Sequence, residues 1–322
     1  MLIESEKLIQ NPKVSIVVLT YNHEQYLIEC LDSVVNQDFE HEYEIIIAED
    51  CSKDTTRDIC YKYYELYPSK IRLLLQEKNK GLIANYRDAM SLCRGQYIAQ
   101  CAGDDYWCDK NKLKLQYEFL ENNEDFGLVR TLGYELRGEH LITTYGGHSC
   151  DIGDVKHIAI WGPLGFGASI CFRKSLLIYV DFDELILRGI TMEDYPMHAI
   201  FSHHTKFGLI HKRMIVYRVL EESISHTRQF EKKMKYFIGF YKCKIYIKEL
   251  YGQSIPWSVQ EIEDDIRYEM LRYNYLKYNY KEARNIIFKT TKYDVSHLVN
   301  FRNNVMLFYI LAFLLQVKQF LR

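Results

Sequence analysis

None of the nine cysteines in this 322-residue chain forms a Cys-x-x-Cys pair. Cys30, Cys51, Cys60, Cys93, Cys101, Cys108, Cys150, Cys171 and Cys243 are scattered, several of them in apolar, strand-like runs. That pattern speaks against a zinc knuckle or a dithiol redox motif and predicts reduced core thiols in a cytosolic protein. The opening Met1-Leu-Ile-Glu-Ser-Glu-Lys7 lacks a basic region followed by an apolar one, so no secretion signal is legible. Long apolar runs are missing too. Val305-Met-Leu-Phe-Tyr-Ile-Leu-Ala-Phe-Leu-Leu315 would rise only ~16 Å as a helix, about half of a ~30 Å hydrocarbon core. It reads as a buried helix or an in-plane anchor, flanked by Arg302, Lys318 and Arg322. A Gly-x-Gly-x-x-Gly turn is absent after the first apolar run, where Thr20-Tyr-Asn-His-Glu24 stands instead, which sets aside a dinucleotide-binding dehydrogenase.

What is present is ordinary globular composition, 48% hydrophobic and 26% charged, with a length that suits ~2 domains. The net charge of −2 hides an asymmetry. From Phe230 onward there are 16 Lys/Arg against 9 Asp/Glu, a net of +7, while residues 1–229 carry 25 against 34, a net of −9. An acidic front excludes general nucleic-acid binding there. The basic, Tyr-rich rear is either a set of solvated helix faces or a surface for anionic membrane.

Val14-Ser-Ile-Val-Val-Leu19 has the β-branched character of a strand buried on both faces. A helix over 24–35 follows, with Leu27, Leu31, Val34 and Val35 at helical spacing. Further strands are predicted at 43–48, 71–75 and 96–101, with helices over 54–67, stopped by Pro68, and over 82–93. Alternation of this kind means parallel βαβ units in an α/β sheet. Beyond a helix carrying Leu113, Tyr117 and Leu120, strands are expected at 126–132, 168–172, 207–210 and 214–219, and a helix at 194–203. Trp161-Gly-Pro-Leu-Gly-Phe-Gly167 reads as a loop. From Phe230 onward helices are expected, with Ile262, Ile266, Met270 and Tyr273 on one face, and Tyr280-Lys-Glu-Ala-Arg284 gives only a faint hint of a helical repeat.

Ligands of such sheets lie beyond the C-terminal ends of the strands. Those ends are Thr20-Tyr21-Asn22, Glu49-Asp50, residues 76–81 and residues 102–105, all polar. Asp104-Asp105 is the most telling, because two adjacent carboxylates closing a buried strand are costly without a cation. A divalent metal carrying a diphosphate would meet that need; a turn that caps the next helix would explain the pair as well.

Residues 13 to about 226 resemble a family 2 glycosyltransferase of GT-A fold. The resemblance rests on Val14-Ser-Ile-Val-Val-Leu-Thr-Tyr-Asn22, Ala48-Glu-Asp-Cys-Ser-Lys-Asp54, Asn79-Lys-Gly81 with Asn85, Gly103-Asp-Asp-Tyr-Trp107 and Glu193-Asp194, in family order. It implies a catalytic domain over 1–228 and a helical region over 229–322. It also implies an inverting transfer from a nucleotide-diphosphate sugar, with uridine the commonest base, to a glycan or lipid-linked acceptor in surface-polysaccharide assembly. Thr20, Tyr21, Asn22, Asp50, Asn79, Gly81 and Asn85 would hold the donor, with Asp50 at the nucleobase. Asp105 would ligate Mn²⁺ or Mg²⁺, and Asp104 the ribose or the metal. Asp194 would be the general base, supported by Glu193, although a helix-capping Asp looks the same. Arg218 and His226 would reach the diphosphate. Trp107 and Trp161 are candidates to flank the sugar, with core packing the competing role. One departure stands out: many relatives have an acidic residue where this chain has Ala102, which favours a rival reading as a degenerate scaffold that recruits partners through its rear helices. A sugar-nucleotide pyrophosphorylase is set aside for want of a Gly-rich basic loop near the start. The basic tail would hold the protein at the cytoplasmic membrane face.

Overall fold

The computed structural model describes residues 1–144, 158, 162–220, 223, 230–252, 255 and 258–262. A ten-stranded mixed sheet forms its centre. The strands are β1 (Leu2–Ile3), β2 (Val14–Thr20), β3 (Tyr43–Glu49), β4 (Ile71–Leu75), β5 (Tyr97–Ala102), β6 (Tyr106–Trp107), β7 (Phe126–Arg137), β8 (His140–Thr144), β9 (Ile170–Arg173) and β10 (Lys206–Arg218). They lie in the order β1-β4-β3-β2-β5-β9-β7-β10-β6, with β8 paired to β7. The helices are α1 (Leu27–Val35), α2 (Thr56–Leu66), α3 (Leu82–Leu92), α4 (Lys112–Asn122), α5 (Phe182–Arg188), α6 (Asp194–His204) and α7 (Phe230–Tyr251).

β4, β3, β2 and β5 run parallel, as the alternation of strand and helix predicts. Their side chains alternate between two apolar layers. Ile16 and Val18 join Leu27 and Leu31 of α1, Tyr63 of α2 and Leu113 of α4 on one face. Val17 and Ile46 join Tyr86 of α3, Leu185 of α5, Tyr195 of α6 and Cys243 and Ile247 of α7 on the other. Both faces are therefore covered, which is why these strands read as unbroken apolar runs.

The parallel strands stop in register, Thr20 beside Glu49, Glu49 beside Leu75 and Leu19 beside Ala102, so the polar clusters share one edge of the sheet. Bonds beyond the ladders tie that edge together: the Asp50 amide donates to the Thr20 carbonyl (3.1 Å), Gln76 to Glu49 (2.9 Å) and Gly103 to Leu19 (2.8 Å).

Several expectations are corrected. The two strands read at 207–210 and 214–219 are one, β10, whose pairing with β7 shifts register between Ile210 and Ile215. Polar His211 and charged Lys212 and Arg213 lie in that stretch and make it look like a loop in the sequence. The strand at 126–132 continues to Arg137. Short β1, β6 and β8, and α5, were not legible as elements. Six of the eight described cysteines are buried, as expected of core thiols, whereas Cys51 is half-buried and Cys108 exposed, because both sit in loops beyond strand ends. Cys150, Trp161, His226, the stretches holding Ile266, Met270, Tyr273 and 280–284, and the apolar run 305–315 lie outside the described residues.

Candidate functional site

The nucleotide half of the expected site is a set of loops locked by side-chain to backbone bonds. Asn22 adopts φ 56°, a left-handed conformation that Asn tolerates better than most residues. Its amide donates to Ser52 Oγ (2.9 Å) and its Oδ1 accepts from the Lys53 amide (2.8 Å), joining the β2 and β3 ends. Asp50, 4% exposed, accepts from the Lys80 amide through Oδ1 (2.8 Å) and from the Gly81 amide through Oδ2 (2.9 Å). Burial nevertheless holds its carboxyl above the ordinary range, more than these bonds lower it. Asn79 Nδ2 donates to the Asp50 carbonyl (3.2 Å). Thr20 is buried with its hydroxyl 3.3 Å from His23 Nδ1, and Tyr21 is half-buried beside it. Asn85 lies deeper, its amide donating to the Ala48 carbonyl (3.0 Å) and its oxygen accepting from Gln76 (3.0 Å), so its side chain braces the loop from within.

Asp105 is 3% exposed and accepts the Arg218 amide at 2.9 Å. Desolvation, and then the charge of Asp104, push its carboxyl well above the ordinary range. Asp104 is half-buried. The Arg218 guanidinium does not reach outward for a diphosphate. It donates to the Asp104 carbonyl (2.6 Å), pairs with Glu29 of α1, and sits over the rings of Tyr106 (4.8 Å) and Tyr26 (5.2 Å). Arg218 thus clamps the turn of the acidic pair from behind. Trp107, expected beside the sugar, is 4% exposed in the core with Lys112 Nζ 3.9 Å from its ring centroid. Its neighbours leave no open face for a sugar, so core packing is the role it has.

Two adjacent carboxylates on one turn, that of Asp105 buried and raised in proton affinity, are a set that a divalent cation would satisfy. Among the described residues, no three His, Cys, Asp or Glu side chains come close enough to hold a metal alone. The pair therefore fits a cation that brings other oxygen ligands with it, in line with the acidic residue missing at Ala102.

Glu193 and Asp194 begin α6, where Asp194 Oδ1 accepts the Tyr195 amide at 2.7 Å. Both carboxyls are raised by burial, Glu193 also by the charge of Asp194. The helix N-terminus favours their anions, so desolvation outweighs it here. A carboxylate raised toward neutrality is suited to accept a proton. The pair is linked to the sheet edge through Tyr86, whose hydroxyl donates to Gln100 of β5 (2.7 Å) and lies within reach of both charges. Gln100 precedes Asp104 by four residues, and Gly167 packs against it, since a Cβ there would lie 3.1 Å from Gln100 Nε2. Tyr217, next to Arg218, stacks on Phe166 (4.9 Å), and Tyr236 of α7 feels the charges of Asp194, Tyr217 and Glu193.

Sequence reasoning missed Glu29, Tyr26, Tyr106 and His23. Each looks like a solvated or generic surface residue in sequence; Arg218, far along the chain, gives Glu29, Tyr26 and Tyr106 their partner, and Thr20 gives His23 its own.

Residues 15–147 match the profile of glycosyl transferase family 2. The match covers 133 of the 322 residues, so it is this stretch that is similar to the family. An uncharacterised protein of Mycobacterium tuberculosis is 42% identical over 112 residues, 35% of this chain and 32% of that protein. An uncharacterised glycosyltransferase of Methanocaldococcus jannaschii is 26% identical over 65% of this chain and 71% of its own length. The poly(ribitol-phosphate) beta-glucosyltransferase of Bacillus spizizenii is 35% identical over 39% of this chain and 20% of its own. The chain spans about a third of the length of the curated relatives it first matches. Among solved structures, S. aureus TarS 1–349 in complex with UDP has a TM-score of 0.52 at 17% identity over 81% of this chain and 72% of that one. The mannosyltransferase PcManGT of Pyrobaculum calidifontis, in complex with GDP-Man and Mn²⁺, has a TM-score of 0.55 at 13% identity over 92% and 81%. These likenesses establish the GT-A fold expected from the sequence.

Proposed function

We propose that the protein transfers a sugar, with inversion, from a nucleotide-diphosphate donor to a glycan or lipid-linked acceptor in surface-polysaccharide assembly. What supports this reading is two acidic centres connected through Tyr86, which bonds Gln100 of β5 and feels the charges of Glu193 and Asp194. One is braced by Arg218 at the strand end, and the other is half-buried with raised proton affinity at the start of α6. The complexes of the two structural relatives with UDP and with GDP-Man and Mn²⁺ support a nucleotide-sugar donor.

In this reading Asp50, Asn79, Gly81 and the Thr20-Tyr21-Asn22 turn receive the nucleoside, and Asp104 and Asp105 hold Mn²⁺ or Mg²⁺. When bound, such an ion would offset the charge of the departing diphosphate. Asp194 takes the proton of the acceptor hydroxyl as its oxygen forms the bond to the anomeric carbon, while the bond from that carbon to the diphosphate oxygen breaks. Glu193, raised by burial and by the charge of Asp194, supports it and orients the acceptor. Arg218 holds the Asp104-Asp105 turn rather than the leaving group. Among the described residues no helix is long and apolar enough to cross a membrane. The basic stretch after Phe230 would bring the enzyme to the anionic membrane face where a lipid-linked acceptor is presented.

The two-carboxylate metal set also suits a scaffold that binds nucleotide without turnover. One experiment separates the two: thermal stabilisation by UDP, UDP-glucose, UDP-N-acetylglucosamine and GDP-mannose with and without Mn²⁺, followed by turnover of the binding donor by wild type and Asp194→Asn. A ligand at ~100 times its Kd adds ~2.7 kcal/mol. Manganese-dependent stabilisation, with turnover lost in Asp194→Asn, is expected. Stabilisation without turnover in wild type would favour the scaffold, and no stabilisation by any of the four would overturn both.

A further inference from the structure

α7 lies outside the stretch that matches the family, yet it is docked along the whole connection that carries the candidate base. Thr191 Oγ1 donates to the Tyr236 carbonyl at 3.4 Å. Tyr195 stacks on Phe240 with centroids 4.9 Å apart and planes at 26°. Arg188 pairs with Glu249 (2.6 Å) and lies 4.9 Å from the Tyr246 ring. The tightest point is Gly239, whose missing Cβ would lie 2.1 Å from Thr191 Oγ1 and 2.7 Å from its Cγ2. The helix backbone therefore rests directly on the residue two before Glu193, and any side chain at 239 would drive the two apart.

We propose that α7 is a positioning element of the active site, seated through Gly239 on Thr191 so that it fixes the Glu193–Asp194 turn and shields it from water. This rests on the reading of Asp194 as the base. The groups that face the pair support it. Tyr86 comes from α3, and Tyr236 and Cys243 come from α7. Burial holds the Tyr86 and Tyr236 hydroxyls above their ordinary values, and desolvation and then the charge of Asp194 push up the Cys243 thiol, so all three are neutral near pH 7. The α7 side of the pair is thus a wall of weakly polar groups. Such a wall raises the proton affinity of a carboxylate, and opening it to water would lower it.

Gly239→Ala, which wedges the contact, and Phe240→Ala, which removes the ring on Tyr195 and inserts nothing, test this by two readouts. In hydrogen–deuterium exchange both variants should lose protection over residues 190–197 and keep it over residues 97–102. With the best-turned-over donor among UDP-glucose, UDP-N-acetylglucosamine and GDP-mannose, kcat for nucleotide release should fall about tenfold or more, as misplacement of a reacting group does. Its acid limb should move toward lower pH, and stabilisation by UDP should be unchanged. Exchange over 190–197 equal to wild type in both variants, or an unmoved acid limb beside a lowered kcat, would overturn the proposal. The exchange readout needs no substrate, so a wild type that releases no nucleotide would sink the transferase reading while the role of α7 is still decided.

Discussion

At the scale of single residues the site depends on space as much as on charge. Gly103 closes β5, and a Cβ there would lie 2.7 Å from His23 Nδ1 and 2.8 Å from Thr20 Oγ1. The β2 turn and the acidic turn thus approach more closely than any other residue type permits. Gly103→Ala should cost about 1–3 kcal/mol, the usual range for overpacking. It should also abolish the thermal stabilisation by UDP, because the added methyl pushes Thr20 from Asp104. Gly103→Ala/His23→Ala should recover part of both in the same melting assay, and a double variant no better than the single one would refute the steric account. This close approach was not legible in the sequence, where Gly103-Asp-Asp carried its message through the aspartates alone. Arg218 shows the converse. Its importance was legible from its place after a strand, but its partner Glu29 lies 189 positions away on a face that reads as solvated charge. A cation seen in sequence declares its charge, whereas the direction it points is set by the tertiary crossing.

At the scale of elements, hydrophobic periodicity made the parallel strands and their helices plain, because each strand is apolar on both faces and each helix on one. It failed at β10, where a bulged strand passes through charged residues, and at β6, two residues long, which exists only because β10 pairs with it. α6 was legible, yet its N-terminus holds a conflict that sequence does not display. Helix ends favour acidic residues, but burial raises the proton affinity of Glu193 and Asp194 above ordinary carboxyls. The consequence for stability has a definite sign. A carboxyl whose folded pKa is raised keeps a proton that the unfolded chain releases, so stability is undiminished below the unfolded value, about 4.3 for Glu, and falls as pH rises toward the folded value. Glu193→Gln removes that penalty. Its melting temperature should match wild type near pH 4 and exceed it increasingly toward pH 8, at roughly 2–4 °C per kcal/mol. A gap that is constant across pH would mean that Glu193 is ionised at no cost.

At the scale of the whole molecule, the family-matched stretch 15–147 and the folding unit do not coincide. In the sheet, β9 stands between β5 and β7, pairing antiparallel with both, and β10 supplies the far neighbour of β7 and the only partner of β6 among the described residues. All of these later strands come from residues 170–218. A fragment ending at 147 would keep β4-β3-β2-β5 but leave β5 with a bare edge and β7 with no strand to join it to the rest. It would also lose the Arg218 amide from Asp105, and the apolar layer of α5, α6 and α7 from one face of the sheet. An exposed edge beside an uncovered apolar face is a combination that drives aggregation. Residues 1–147 produced alone should therefore be insoluble or lack a cooperative melting transition. Residues 1–262 should melt cooperatively and gain stability from UDP with Mn²⁺. Residues 1–229, which retain every described strand but lack α7, should fall between the two, folding with a lower melting temperature and apolar dye binding that the 1–262 fragment does not show. If 1–147 instead melts cooperatively, the later strands are an addition to a self-sufficient nucleotide-binding half, and the clamp of Arg218 on the acidic turn is dispensable for its fold.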